Sequence, residues 1–132
     1  MAPIYIDVFW SVIHDSQVAQ VATVAVMLLI MMDILFGVCA AIAQHRFSSE
    51  KMRQGMAHKA AEIGLMLLGI IADGALLGGF DFGISAACYL GVCAYLAVME
   101  VGSVLETLAV MNPELGENPI FRMLEQIHTK EE

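Results

Sequence analysis

Three long apolar runs limit what this chain can fold into more than any other feature of its sequence. They lie at about 18–43, 60–77 and 84–110, and a helix needs about 20 mostly apolar residues to cross a bilayer. Residues 21–32, VATVAVMLLIMM, are apolar on every face, whereas a surface helix of a soluble protein carries a polar stripe. Hydrophobic residues make up 59% of the chain and charged residues 15%, against about 45–50% and 25% in soluble domains. The sequence therefore predicts an all-α integral membrane protein, with three transmembrane helices in one membrane domain over residues 1–132.

Both ends of the chain show weaker helical patterns. An N-terminal amphipathic helix is predicted at 1–17, because its polar residues share one narrow stripe. It would lie in the headgroup region or pack on neighbouring spans, or it would simply continue the first span. The tail at 111–132 is predicted to hold a short helix after Pro119. The stripe consists of Asp7, Ser11, His14 and Asp15.

Glycine and alanine mark the expected turn and contact faces. The segment GGFDFG at 78–83 predicts a tight turn, so the second and third spans should form an antiparallel hairpin. Small residues within spans allow helix backbones to approach closely, and beside buried acids they favour homo-oligomers. The candidate packing residues are Gly37, Gly74, Gly78, Ala87 and Gly91.

Positive charge is concentrated in the segment 44–59, which holds four of the six Lys and Arg residues of the chain. Loops rich in these residues stay on the cytoplasmic side. We therefore expect a basic cytoplasmic loop at 44–59, with the N-terminus outside and the C-terminal tail inside. Such a loop would also be attracted to anionic lipid. Its basic residues are Arg46, Lys51, Arg53 and Lys59.

Carboxylates interrupt the apolar runs at five positions. An ionised carboxylate at bilayer depth costs several kcal/mol unless it is paired or hydrated. Counted from the expected cytoplasmic ends of the spans, Asp33 and Glu100 lie at a depth of about 15 Å and Asp73 at roughly 20 Å. The three carboxylates are therefore expected to meet at similar depths. The five acids are Asp33, Glu62, Asp73, Glu100 and Glu106.

Two interpretations of these acids stay open. They could line a wet lumen or contact sister subunits, or they could be hydrogen-bonded core acids that fix helix packing. For Glu62 a surface pair with Lys59 is the simpler interpretation, and for Glu106 it is exposure near the interface. Ser103 shares a polar arc of the third span with Glu100 and Glu106. The candidate pore-lining or intersubunit residues are therefore Asp33, Glu62, Asp73, Glu100, Ser103 and Glu106.

Several function classes are disfavoured by composition and spacing. A net charge of −8 with only six basic residues argues against nucleic acid as a partner. The three cysteines lie inside apolar runs without CxxC or nearby His, so we expect buried thiols rather than disulfides or a zinc site. No catalytic triad, nucleotide loop or metal spacing is present, so no enzyme activity, cofactor or metal is expected. The cysteines are Cys39, Cys88 and Cys93.

An ordered set of motifs runs through the three spans. The pattern D-x3-G begins at Asp33, SS-x3-R-x-G-x3-K ends at Lys59, and E-x2-S-x2-E begins at Glu100. Together with Asp73, this set resembles the toxin secretion/phage lysis holin family over about residues 18–125. That family often has Asn after the last Glu, where this chain has Thr107.

The resemblance implies a small phage-encoded protein that accumulates in the bacterial cytoplasmic membrane. Such proteins oligomerise from many subunits and open a pore or lesion that releases an endolysin or a toxin. Their partners are membrane lipid, sister subunits and the cell-wall hydrolase or toxin that is released. By position, the resemblance points to Asp33, Arg53, Gly55, Lys59, Glu100, Ser103 and Glu106.

Two other functions are compatible with the residues alone. The buried acids permit a small ion or proton channel or a transporter subunit, which would collapse a gradient without passing dyes or proteins. A non-lytic partner, such as an antiholin or scaffold, would not kill cells when expressed alone.

Overall fold

The computed structural model describes residues 5–80 and 88–129, and every regular element within them is helical. Three of the helices are long and apolar enough to cross a membrane. The predicted fold class, a helical membrane protein with three candidate spans and a short helix at each end, is confirmed. The elements are α1 (Tyr5–His14), α2 (Gln17–Ala43), α3 (Ser49–Leu77), α4 (Cys88–Met111), a 3₁₀ helix (Pro113–Glu117) and α5 (Pro119–Thr129).

The second spanning helix is longer than its apolar run predicts. It begins at Ser49 rather than near residue 60, so residues 49–59, expected in a loop, form its first three turns. Hydropathy placed the boundary late because Lys51, Arg53 and His58 interrupt the apolar pattern, yet this segment consists mostly of good helix formers. At 1.5 Å per residue α3 is about 43 Å long, longer than the ~30 Å hydrocarbon core.

Both α2 and α3 end in the same hydrogen-bonded motif. At the end of α2, the N–H of Arg46 donates to the carbonyl of Ala41 and that of His45 to Ile42. At the end of α3, the N–H of Phe80 donates to the carbonyl of Ala75 and that of Gly79 to Leu76. This motif needs a left-handed residue, and His45 (φ 52°) and Gly79 (φ 92°) supply it. Residues 81–83 of the expected turn lie outside the described residues.

α4 is the central helix of the bundle. It packs against both α2 and α3, whereas α2 and α3 hardly touch each other. Gly69 of α3 permits this packing, because a Cβ there would come within 3.1 Å of Tyr89 Cα. The Tyr89 hydroxyl also lies 2.7 Å from Thr23 Oγ1 on α2, at hydrogen-bonding distance. The buried core consists of Ala19, Val26, Ile30, Met66, Tyr89, Cys93 and Leu96.

The N-terminal helix α1 is separate from the first span. The chain leaves helix after His14, and the side chain of Ser16 accepts a hydrogen bond from the N–H of Ala19 to cap α2. α1 packs on α3 and α2 and exposes Tyr5 and Trp10. Of the two arrangements left open by the sequence, the separate amphipathic helix is therefore the one found.

The cysteines do not all share the predicted environment. Cys93 is buried and Cys88 is partly buried, but Cys39 is exposed. It lies on an outer surface of the bundle where large apolar side chains such as Leu35 and Ile42 are also exposed. A spanning helix turns such a surface toward lipid, so an apolar run alone does not decide which thiols lie inside.

Candidate functional site

A buried lysine lies between carboxylates from the three spanning helices. Lys59 Nζ of α3 is 2.8 Å from Asp33 Oδ2 of α2 and 2.5 Å from Glu100 Oε1 of α4. Within α3 it is also 3.4 Å from Glu62 Oε2. Lys59 is 9% exposed and Glu100 only 1%. We call these four residues the ion cluster.

The positions of these residues follow from helix geometry. On α4, Tyr89, Cys93, Leu96 and Glu100 are all buried, and their spacing of three or four residues puts them on one face of the helix. Glu100 therefore points into the bundle with the apolar core residues. Lys59 reaches across the gap between α3 and α2, where the two helices make little direct contact.

A hydroxyl completes the cluster on the α4 side. Ser103 Oγ donates a hydrogen bond of 2.6 Å to Asp33 Oδ1, whereas Lys59 pairs with the other carboxylate oxygen, Oδ2. One turn later, Thr107 Oγ1 donates to the carbonyl of Ser103. Asp33 is thus held by a cation from α3 and a hydroxyl from α4, which links all three spans.

The charges of the ion cluster do not balance. One ammonium faces three carboxylates, so two negative charges lack a counter-charge if all four groups are ionised. Within the described residues, Glu62 Oε2 and Glu100 Oε2 are buried and accept no hydrogen bond. His58 Nε2 lies 3.9 Å from Glu62 Oε1, but this ring is mostly exposed. Unpaired buried charge costs several kcal/mol per ion, so the cluster of a lone chain is incompletely compensated.

Three of the sequence-predicted acids are therefore brought together, but not the three expected to meet. Asp73 lies elsewhere, where its carboxylate accepts hydrogen bonds from the backbone N–H groups of Cys88 and Tyr89. N–H groups at a helix start lack intrahelical acceptors, so Asp73 fixes the beginning of α4 against α3. Glu62 takes its place in the cluster, and its pair with Lys59 is mostly buried rather than at the surface.

The remaining candidate residues lie on the outside of this chain. Glu106 is exposed on α4, about 8 Å before its end at Met111. Of the basic residues expected in a loop, Arg46, Lys51 and Arg53 are exposed. Lys51, Arg53 and Lys59 are all helical rather than in a loop, and of these three only Lys59 is buried.

The small residues divide into two groups. Gly74 is buried, and a Cβ there would overlap the Phe9 ring of α1; at Gly78 the nearest α1 side chain is Val8. This GxxxG pair therefore packs against α1 of the same chain. Gly37 and Gly91 are exposed, with nothing within 4 Å of an added Cβ. Ala87 lies outside the described residues.

The central role of Lys59 was not predicted from the sequence, because the hydropathy pattern placed that residue in a loop. One signal was present: a helix extended backwards from residue 60 puts Lys59 three residues before Glu62, on the same face. No comparable signal identifies the partners on the other helices. Among residues 5–80 and 88–129, no group of three His, Cys, Asp or Glu side chains is arranged to hold a metal ion; the lysine ammonium lies between the carboxylates instead.

The fold and the cluster define a class: a small protein with three candidate membrane spans that are linked by buried ionic contacts. Within that class, the model of the bacteriophage holin family matches residues 17–129, and the chain belongs to this family. The match covers α2 to α5 and confirms the resemblance carried by the ordered motifs. The family is not a family of enzymes. No curated protein and no solved structure matches the chain.

Proposed function

We propose that this chain oligomerises in the bacterial cytoplasmic membrane and forms a pore or lesion that leads to lysis of the host cell. The opening would let an endolysin or a toxin cross the membrane. Membership of the bacteriophage holin family supports this function. A single chain with three spans cannot enclose a channel for a folded protein, so the opening requires many copies.

The observation that carries the proposal is the charge imbalance of the ion cluster. In a lone chain surrounded by lipid, the carboxylates of Asp33, Glu62 and Glu100 share one ammonium. Water that reaches the cluster from a lumen, or a polar group from a sister subunit, would offset the remaining cost. Assembly around water is therefore favoured over an isolated chain in a dry bilayer.

Two surface features support contacts between copies. Gly91 leaves an open position on the outer face of α4, and small residues of this kind permit close approach of neighbouring helices. Glu106 is exposed on α4 and would face a sister subunit, a lumen or the headgroup region. As part of the same proposal, we assign Gly91 to a subunit contact.

Induced expression in bacteria tests this function. Growth is expected to stop abruptly after a delay, and a membrane-impermeant DNA dye should enter the cells at the same time. Unchanged dye exclusion at high levels of membrane-inserted protein would contradict the proposal.

An ion or proton pathway is the second candidate, because the ion cluster lies between spanning helices. Expression would then collapse the membrane potential while dye and cytoplasmic proteins stay inside. A non-lytic antiholin or scaffold would leave both the potential and the dye barrier intact when expressed alone. The same cultures therefore distinguish the three functions.

A further inference from the structure

A lateral groove lies between α2 and α3, on the side of the bundle that α4 does not cover. The two helices hardly touch each other, and the groove between them has a volume of about 320 Å³. Its walls are matched stripes at the same helical spacing, at 33, 34, 37, 38 and 41 on α2 and at 51, 52, 55, 56 and 59 on α3. The groove runs about 12 Å along each helix.

The chemistry of the groove changes along its length. Arg46 and Lys51 lie at its mouth, at the α2–α3 connection. Among the described residues, neither side chain has a carboxylate within ion-pair distance. The walls below are apolar, with Val38 and Met56 among them, and the floor is closed by Asp33 and Lys59, which pair with each other. Cations at the mouth and apolar walls beneath match the order of groups in a phospholipid.

Two glycines keep the groove open. Gly37 on α2 and Gly55 on α3 occupy corresponding positions in the two stripes. A Cβ added at either position would have no neighbouring atom within 4 Å. Larger side chains there would fill the groove without disturbing the packing of α4, which lies on the other side.

We propose that this groove binds one anionic phospholipid of the surrounding bilayer, with the phosphate at Arg46 and Lys51 and an acyl chain along Gly37 and Gly55. The charge complementarity at the mouth favours an anionic lipid over a zwitterionic one. The lipid would fill the space between the two spans and shield the ion cluster from the side. The proposal depends on the membrane placement of the helices and not on pore formation.

Native mass spectrometry of the delipidated full-length protein in detergent micelles tests this site. We expect one phosphatidylglycerol per chain, with at least about tenfold weaker retention of phosphatidylcholine. Because each basic residue near an anionic surface contributes about a fivefold factor, the double variant R46Q/K51Q should bind phosphatidylglycerol roughly 30-fold more weakly. The matched control is Arg53→Gln, since Arg53 is exposed on the same helix but does not line the groove, and it should bind like wild type.

The acyl part of the site is tested by filling the groove. Gly55→Leu should abolish the bound phosphatidylglycerol, and Gly37→Leu should do the same from the opposite wall, so one of them is informative if the other fails to fold. Gly64→Leu is the control, because Gly64 is also open and exposed on α3 but lies outside the groove. Circular dichroism should show the wild-type helical content for every variant that is compared.

Four results would overturn the proposal. Equal retention of phosphatidylglycerol and phosphatidylcholine would show that the mouth does not select charge. If R53Q weakened the binding of phosphatidylglycerol as much as R46Q/K51Q does, the lipid would be held by the general positive charge of the surface and not by the groove. Equally tight binding of glycerophosphoglycerol or inorganic phosphate would show that the acyl chain does not contribute to binding. A Gly55→Leu protein that retains the lipid but changes its subunit number would assign the groove to a second copy.

Discussion

At the scale of single residues, Lys59 is the position on which the arrangement of the spans depends most. Its ammonium contacts carboxylates on α2, α3 and α4. Removing one partner of a buried ion pair strongly destabilises the folded protein, because the remaining charges stay buried without compensation. In this cluster, three carboxylates would lose their shared cation at once.

Lys59→Met should therefore destabilise the folded protein by about 3–5 kcal/mol. Thermal unfolding of the detergent-solubilised protein, followed by circular dichroism, measures this loss. Arg53→Met is the matched control, since Arg53 lies on the same helix but is exposed and does not line the groove, and its melting temperature should stay unchanged. A Lys59→Met protein that melts with the wild type would show that the cluster contributes nothing to stability.

Asp33→Asn and Glu100→Gln should delay lysis. Each substitution removes one of the negative charges in excess at the ion cluster, so the lone chain is better tolerated in the bilayer and the drive to assemble is weaker. The time from induction to dye entry measures the delay at matched protein levels. Glu114→Gln, in the exposed 3₁₀ helix, should keep the wild-type timing. If both cluster variants keep wild-type timing and oligomer size, these acids only fix helix packing.

The sequence identified most of the residues in the cluster but not their partners. Carboxylates at bilayer depth stand out because they are costly there, which singled out Asp33, Glu62 and Glu100. Their pairing depends on the rotation of each helix about its axis and on which helices are neighbours. Those quantities are set by packing between helices, as where Tyr89 lies against Gly69, and no periodicity in one helix reveals them.

At the scale of helices, the spans were predictable and their ends less so. The first span was expected at 18–43 and is found at Gln17–Ala43, because a long apolar run with Asp33 as its one charged residue fixes both limits. α3 was misjudged at its start because hydropathy reports the part of a helix that suits lipid, whereas the helix itself continues into polar residues from Ser49. For the same reason, Lys59 was expected to be exposed in a loop rather than buried in a helix.

Gly74→Ala should loosen α1, since the new Cβ would overlap the ring of Phe9. Overpacking of this kind costs about 1–3 kcal/mol. Adding Phe9→Ala should remove the clash, so the double variant is expected to lose less stability than the two single variants together, with a coupling of about 0.5–3 kcal/mol. Melting temperatures of the four proteins measure the coupling, and strictly additive effects would mean that Phe9 does not pack on Gly74.

At the scale of the whole molecule, the distribution of basic residues predicts how the bundle is inserted. Arg46, Lys51 and Arg53 are exposed near the α2–α3 connection, and such residues remain on the cytoplasmic side. The N-terminus is then outside the cytoplasm and the C-terminal tail inside. This orientation is a prediction from charge.

An epitope fused before residue 1 should bind antibody on intact spheroplasts, and one fused after residue 132 only after permeabilisation. Samples must be taken before the onset of dye entry, because lysis would expose both epitopes. The opposite pattern of accessibility would reverse the predicted insertion. It would also place the basic mouth of the groove between α2 and α3 on the outer side of the membrane.

The central claim is that copies of this chain assemble into an opening large enough for a folded protein. Purified protein reconstituted into vesicles loaded with a small dye and a fluorescent protein tests it directly. We expect both cargoes to escape, with a steep dependence on the protein-to-lipid ratio because many copies must assemble. Release of ions or dye alone, with the fluorescent protein retained at every ratio, would contradict the claim.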